Sequence, residues 1–278
     1  MSQSSAYVGR VAPTPTGYMH LGHACTFLEA QRRARLVKGR LLLRIEDLDQ
    51  SRCKPEFVSA LEEDLAWAGL EWELPVVKQS ERISYFQEIL LRLKADGFVF
   101  PCSCSRKDVA EAIRAPHESG GELIYPGTCR EKELAFASAE DLFTINWRFR
   151  VPDGKRIQFK DGRLGDQSFL AGEDFGDFLV WRKDGFPSYE LAVVADDVAQ
   201  GVTEIVRGED LLLSTARQLL LYEALGAKVP AFFHCPLILD TDGKRLAKRA
   251  GSKGLRELRT SGVTPADLIS LGRSSLAG

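Results

Sequence analysis

No apolar run in this sequence reaches the ~18 residues that a membrane span needs, because charge or glycine breaks each one first. Met1 to Ser5 are polar and lead straight into a strand-like segment, so the pattern of a secretory leader is missing and a cytoplasmic protein is expected. An excess of one charge is missing too. With 37 Lys and Arg against 39 Asp and Glu, the net charge of −2 gives no electrostatic footprint of a nucleic-acid binder. Cysteine is sparse, and six in a cytoplasmic chain argue against a disulfide framework. Cys25, Cys53 and Cys235 stand singly and read as small buried hydrophobes. No internal repeat or low-complexity tract breaks the chain. Its 278 residues exceed one ordinary compact domain, which implies a large catalytic domain with an insertion, or two domains.

What is present starts with a βαβ pattern. Residues Ala6 to Ala12 read as a buried strand and are followed by a Pro- and Thr-rich turn. A helix then begins at His20, with Leu21, Ala24, Cys25, Leu28, Ala34 and Leu36 mostly on one face and Glu29 and Gln31 on the wet side. Gly39 stands where a C′ glycine would end it. Leu41 to Ile45 is a continuous apolar run, as in a strand covered on both faces. Helices are predicted over Pro55 to Ala68, Glu81 to Asp96, Glu190 to Ala199 and Leu211 to Leu225, the last two closed by Gly201 and Gly226. Further strands are predicted at Phe98 to Phe100, Phe178 to Arg182 and Thr203 to Val206, with a hairpin over Thr144 to Phe159 turning at Asp153 and Gly154. The alternation of strand and helix implies a parallel sheet with right-handed crossovers, interrupted between about 101 and 174.

Three stretches carry chemistry. From Arg10 to His23 (RVAPTPTGYMHLGH) a strand ends, prolines fix an irregular loop and a helix starts at His20. Such a start offers backbone N–H groups and positive dipole charge to phosphates. Gly22 lets a flat ring approach, and His20 and His23 can donate to phosphoryl oxygens; an HxGH tetrad alone also arises by chance. From Lys244 to Arg259 seven basic residues face one acid, Glu257, which suits either a solvated helix face or a phosphate-binding strip. Cys102, Cys104 and Cys129 form a cluster which, by spacing alone, suits either unliganded thiols or a tetrahedral zinc site lacking one ligand.

The stretch Arg10 to His23 resembles the opening of glutamyl-tRNA synthetases of class I, with HLGH standing for their HIGH motif. The resemblance continues through Arg44 to Asp49 (RIEDLD), Pro187 to Asp197 (PSYELAVVADD) and Gly201 to Asp210 (GVTEIVRGED). It ends at Arg245 to Arg249 (RLAKR), placed like the family's KMSKS loop, so the blocks keep the family's order across most of the chain. The resemblance implies a pocket for L-glutamate. Arg10 and Arg207 would clamp the side-chain carboxylate, since a guanidinium fork matches a planar anion. Tyr189 would add a hydroxyl to the same group, Glu46 would take the α-ammonium, and Val11, Ala12, Pro13 and Thr14 would line the pocket. Outside this context Glu46 reads as an acid at a strand end and Arg207 as an ordinary ion pair. His20, His23 and Lys248 would be catalytic, with Gly22 and Arg245 joining them around ATP and its Mg2+. Two residues depart from the pattern: Arg245 stands for a lysine and Ala247 for a serine, which removes one hydroxyl near ATP.

Two features resemble the family's short paralogues, which activate glutamate without tRNA and esterify it to queuosine in the anticodon of tRNA(Asp). Val193 stands where longer members carry asparagine, and the three cysteines with a tyrosine resemble the paralogues' zinc site. Cys102, Cys104, Tyr125 and Cys129 would then hold one structural Zn2+, with His117 as the competing fourth ligand. The chain also stops twenty-nine residues beyond Arg249, too few for an anticodon-binding domain. The expected fold is α/β: a Rossmann-type parallel sheet with a zinc-bearing insertion. Residues 1–100 would be its first half, 101–174 the insertion, and 175–278 the second half, ending in the KMSKS-like loop and a short tail. A monomer is expected. A truncated glutamyl-tRNA synthetase, a glutamate-activating ligase with another acceptor and a catalytically weak RNA-binding paralogue are the alternatives.

Overall fold

The structure is a computed structural model that describes residues 6–105, 107–109, 124–132, 136, 138–238 and 254–277, with side chains to 271. The expected βαβ unit is there. Strand β1 (Val8–Val11), helix α1 (Leu21–Leu36) and strand β2 (Arg40–Ile45) place β1 parallel to β2, with Val8 opposite Arg40 and Val11 opposite Leu43. Helix α2 (Pro55–Trp67), with its proline in the first turn, then returns the chain to β3 (Glu73–Lys78), parallel to β2. Sequence patterning missed β3 because it is exposed over its first half and carries Pro75, as an edge strand can.

Helix α3 (Ile83–Ala95) leads to β4 (Val99–Cys102), β5 (Asn146–Phe149), β6 (Arg156–Asp161), β7 (Gly165–Leu170) and β8 (Leu179–Trp181). Strands β4, β5 and β8 make an antiparallel sheet. Helix α4 (Tyr189–Ala199), β9 (Glu204–Gly208), α5 (Leu212–Ala224) and β10 (Ala231–Cys235) follow, with β10 parallel to β9. Strand β6 joins the free side of β10 at Asp161 and carries antiparallel β7 on its other edge.

Three expectations are corrected. Residues 144–159 are not a hairpin: β5 and β6 belong to different sheets, and the hairpin is β6–β7. The Asp153–Gly154 turn fails to fold back on β5 because Gly154 N–H donates to Ala171 O beyond β7, at 2.8 Å. Gly39 is not the left-handed residue after α1. Lys38 is (φ 52°), and the N–H groups of Lys38 and Gly39 close the helix on Arg35 and Ala34 in a Schellman pattern. Gly39 is needed for space, since a Cβ there would lie 2.7 Å from Tyr7 Cβ and 2.8 Å from Tyr7 O. On α1, Glu29 and Gln31 are buried and Leu36 is exposed. Gln31 bridges Gly69 O and Glu71 N–H at the end of α2, and Arg32 forks onto Glu29, so specific partners override the apolar pattern.

The expected short tail is two helices, α6 (Leu255–Thr260) and α7 (Pro265–Ala277), which bury Leu255 and Leu268 in the core of the first βαβ half. A second core gathers Phe86, Trp147, Trp181, Leu191 and Leu221 from both sides of the interruption. Among the described residues no helix is long and apolar enough to cross a membrane.

The two parallel sheets meet along β1 and β9. Thr203 N–H donates to Val8 O (2.8 Å) and Val8 N–H to Thr203 Oγ1 (2.9 Å). Farther along, Arg10 Nη1 donates to Val206 O at 3.1 Å, so a side chain spans the seam where a backbone ladder would run. The cleft opens at this parting, past the carboxyl ends of the strands. Gly39→Ala should unfold at lower denaturant by about 1–3 kcal/mol, the usual cost of overpacking, because Tyr7 backbone cannot yield easily. An unchanged urea midpoint would show that Gly39 has room to spare.

Candidate active site

The cleft encloses about 380 Å³. Arg10, Ala12, Pro13 and Thr14 reach it from β1 and the loop beyond, and His20, Gly22 and His23 from the start of α1. Glu46 comes from the end of β2, Tyr189 from the first turn of α4 and Arg207 from β9. One wall therefore collects residues separated by nearly two hundred positions. Val11, grouped with them from the sequence, is 2% exposed and packs into the core beneath. Arg245, Ala247 and Lys248 lie outside the described residues. The described chain leaves the cleft at Ile238 and resumes at Gly254, which bridges to His20, while Leu255 N–H donates to Met19 O at 2.8 Å.

The start of α1 suits an anion. His20 occupies the N-cap without a side-chain cap, and the first turn holds no acid, so the positive helix end is not answered from within. The rings of His20 and His23 stack with centroids 3.7 Å apart. Gly22 permits this, since a Cβ there would sit 3.1 Å from His20 Cε1.

Below lies a buried ionic floor that sequence reasoning missed. Arg44 is fully buried and donates to Asp197 Oδ1 (2.7 Å), Gln200 Oε1 (2.9 Å) and Glu46 Oε1 (3.1 Å). Burial works against its charge, but Asp197, Glu46 and Asp196 more than offset that and raise its pKa. Arg10 Nε lies 3.4 Å from Asp197, and Arg82 and Gln79 bond the two oxygens of Asp196. The signal was two consecutive acids in an otherwise apolar helix, which must find cations when buried. Burial raises the Glu46 carboxyl above its ordinary value, with Arg44 and Arg10 opposing. It also pushes the Tyr189 hydroxyl up to about 12, leaving a neutral donor at the cleft.

Arg207 differs from the other buried cations. It is 4% exposed, and its partners are neutral: Nε donates to His234 Nε2 (3.2 Å), Nη1 to Gln218 Oε1 (2.8 Å) and Nη2 to Thr215 Oγ1 (2.6 Å). Among the described residues no carboxylate contacts it. A guanidinium has five N–H groups, so two remain for a ligand, and a buried cation with neutral supports favours an anion.

A second cluster lies at the end of β4. The Sγ atoms of Cys102, Cys104 and Cys129 fall within 4.8 Å of one another. Tyr125 Oη stands 3.5 Å from Cys102 Sγ and 3.6 Å from Cys104 Sγ. Ligand atoms around a tetrahedral zinc with ~2.3 Å bonds to sulfur lie ~3.8 Å apart, so this donor set has the spread the ion requires. Arg148 Nε donates to Cys102 Sγ at 3.3 Å and its plane covers the Tyr125 ring at 3.9 Å, a cation placed to favour thiolates. His117 lies outside the described residues.

The basic strip is partly spent on packing. Arg256 bonds Asp64 (3.0 Å) and Glu63 (2.8 Å) on α2, and Arg259 stacks over Trp67.

Comparison with known proteins agrees with this geometry. The family described as tRNA synthetases class I (E and Q), catalytic domain, matches residues 7–273. The chain is 46% identical to the glutamyl-Q tRNA(Asp) synthetase of Symbiobacterium thermophilum, covering 94% of this chain and 84% of that one. Its identity to the same-named protein of Nitratidesulfovibrio vulgaris is 43%, over 94% of this chain and 83% of that one. A crystal structure of a glutamate tRNA ligase from Elizabethkingia meningosepticum, in complex with its amino acid, superposes with a TM-score of 0.75 at 28% identity. That match covers 93% of this chain, which spans only 54% of the solved one. With a parallel α/β fold, a polar cleft at the strand ends and a family match across nearly its whole length, the chain belongs to the class I tRNA synthetases of the E and Q type, ligases among which its relatives include glutamyl-Q tRNA(Asp) synthetases.

Proposed function

We propose that the protein activates L-glutamate with ATP, without tRNA, and transfers it to queuosine in the anticodon of tRNA(Asp). The observation that carries the first half is the buried Arg207, whose partners among the described residues are all neutral, beside Arg10, Tyr189 and Glu46. Two arginines and a neutral phenol suit the side-chain carboxylate, and Glu46 suits the α-ammonium. The remaining carboxylate oxygen would attack the α-phosphorus of ATP, whose bond to pyrophosphate breaks. His20, His23, the open end of α1 and Lys248 would stabilise the charge that develops, with Mg2+ accompanying ATP. In the second step a ring hydroxyl of queuosine attacks the glutamyl carbonyl and AMP leaves. The names of the relatives support this acceptor. Residues 101–174 are the insertion between the two catalytic halves in this reading. Cys102, Cys104, Tyr125 and Cys129 would hold Zn2+ there, a closed ligand set that braces the loops.

The decisive assay is ATP–pyrophosphate exchange with glutamate, glutamine or aspartate, with and without tRNA. Exchange with glutamate alone is expected, followed by transfer to tRNA(Asp) containing queuosine and none to tRNA lacking it. Exchange that waits for tRNA would favour a truncated glutamyl-tRNA synthetase instead. Arg207→Lys should raise the KM for glutamate about 10- to 100-fold and leave the KM for ATP alone, since lysine cannot hold three neutral partners and a carboxylate together. An equal effect on both substrates would count against a role in carboxylate recognition. Elemental analysis of the purified protein should find one zinc per chain. Tyr125→Phe should keep the metal but release it to a chelator sooner, and a metal-free wild type would refute the assignment.

A further inference from the structure

We infer that Asp161, acting through His234, is a positioning residue that sets the Arg207 fork for the substrate carboxylate. This rests on the glutamate reading above and assigns work to two residues outside the cleft. Asp161 ends β6, a strand contributed by the segment between the catalytic halves, and stands opposite Phe232 of β10. His234 is on β10, opposite Arg207 on β9, and is fully buried.

The hydrogen bonds fix the direction of the relay. His234 Nε2 lies 3.2 Å from Arg207 Nε and 3.0 Å from Thr215 Oγ1. Arg207 can only donate, so Nε2 presents its lone pair to the guanidinium, while the Thr215 hydroxyl has the Leu211 carbonyl at 3.1 Å as its acceptor. The ring proton therefore sits on Nδ1 and donates to Asp161 Oδ2 at 2.7 Å. A protonated ring would set N–H against N–H at Arg207. Burial and the charge of Arg207 hold the His234 pKa down to about 4 despite Asp161, so the neutral ring persists at physiological pH.

The carboxylate of Asp161 has two separate jobs. Oδ1 accepts the backbone N–H groups of Arg163 and Leu164, each at 2.9 Å, which shapes the turn between β6 and β7. Oδ2 accepts both the backbone N–H of His234 (3.1 Å) and its ring Nδ1–H. An asparagine keeps an acceptor for the turn but brings an NH2 group to the two N–H groups of His234. The relief open to the ring is the other tautomer, and that turns a donor toward Arg207. The fork then loses its Nε anchor while Gln218 and Thr215 still hold its other arms.

The test uses the full chain with Asp161→Asn, His234→Gln, the double variant and wild type. Initial rates of glutamate-dependent ATP–pyrophosphate exchange are measured, alongside thermal melting. Asp161→Asn should raise the KM for glutamate about tenfold or more, with the KM for ATP within about twofold. A glutamine at 234 offers an amide oxygen near the position of Nε2, so the KM of His234→Gln for glutamate should fall between those of wild type and Asp161→Asn. The double variant should then resemble His234→Gln, because Asp161 reaches the fork through the histidine and an asparagine keeps its acceptor for the turn. Nitrogen NMR adds a readout free of catalysis: His234 should carry its proton on Nδ1 in wild type and on Nε2 in Asp161→Asn. Additive losses in the double variant, equal rises in both KM values or an unchanged tautomer would overturn the proposal. Wild-type protein with no glutamate exchange would instead refute the underlying function, a result that the tautomer measurement does not share.

Discussion

Arg10 reaches across the seam between β1 and β9 and takes the place of a backbone ladder there, and this substitution shapes everything above it. A continuous ladder would close the sheet and leave no cleft. A bare gap would expose unsatisfied backbone groups at a cost of ~1–3 kcal/mol each. A guanidinium resolves both demands, because it bonds the Val206 carbonyl without closing the seam. It can be buried only because Asp197 lies beside it, and Asp197 in turn is held by the fully buried Arg44. Removing one partner from such a floor costs ~3–5 kcal/mol, so fold stability and pocket electrostatics are the same property here.

The floor also sets Arg207 apart from the other buried cations of the cleft. Arg44 and Arg10 are answered by Asp197, and Arg44 also by Asp196 and Glu46, so their charges are largely spent within the protein. Among the described residues, Arg207 is answered by dipoles alone. In the glutamate reading a ligand carboxylate completes a pair that folding leaves open, whereas a carboxamide in the same place would leave the cation buried and uncompensated. The penalty for the wrong ligand is then larger than the loss of a single hydrogen bond.

Much of this was legible in the sequence, and what was not has physical causes. The first βαβ unit was readable because its apolar periods and the turn between Pro13 and Gly17 agree with one another. Strand β3 was not, since an exposed edge with a proline carries no burial pattern, and α1 was misjudged at Glu29 and Gln31, whose partners come from elsewhere in the fold. The cleft residues were found through motif resemblance rather than periodicity. Spacing alone left Glu46 and Arg207 as unremarkable charges. His234 and Asp161 escaped altogether, because a single histidine in a short apolar strand and an aspartate before a glycine look like core and turn. Only the pairing of β6 with β10 makes them neighbours.

That pairing joins residues 101–174 to the strands on which the cleft is built. Among the described residues none of 101–174 lines the cleft, but the segment is not a loose appendage either. Instead β6 lies against β10, Asp161 accepts from His234, and Arg163 donates to the His234 carbonyl and to Glu209, in the turn that follows Arg207. Leu237, one residue before the described chain leaves the cleft, donates its N–H to the other oxygen of Glu209 at 3.2 Å. The β6–β7 turn therefore braces Glu209, two residues past Arg207, and through it Leu237. In the glutamate reading, two hydrogen bonds and one imidazole thus join this segment to the fork that would hold the side-chain carboxylate, not to the carboxylate that reacts.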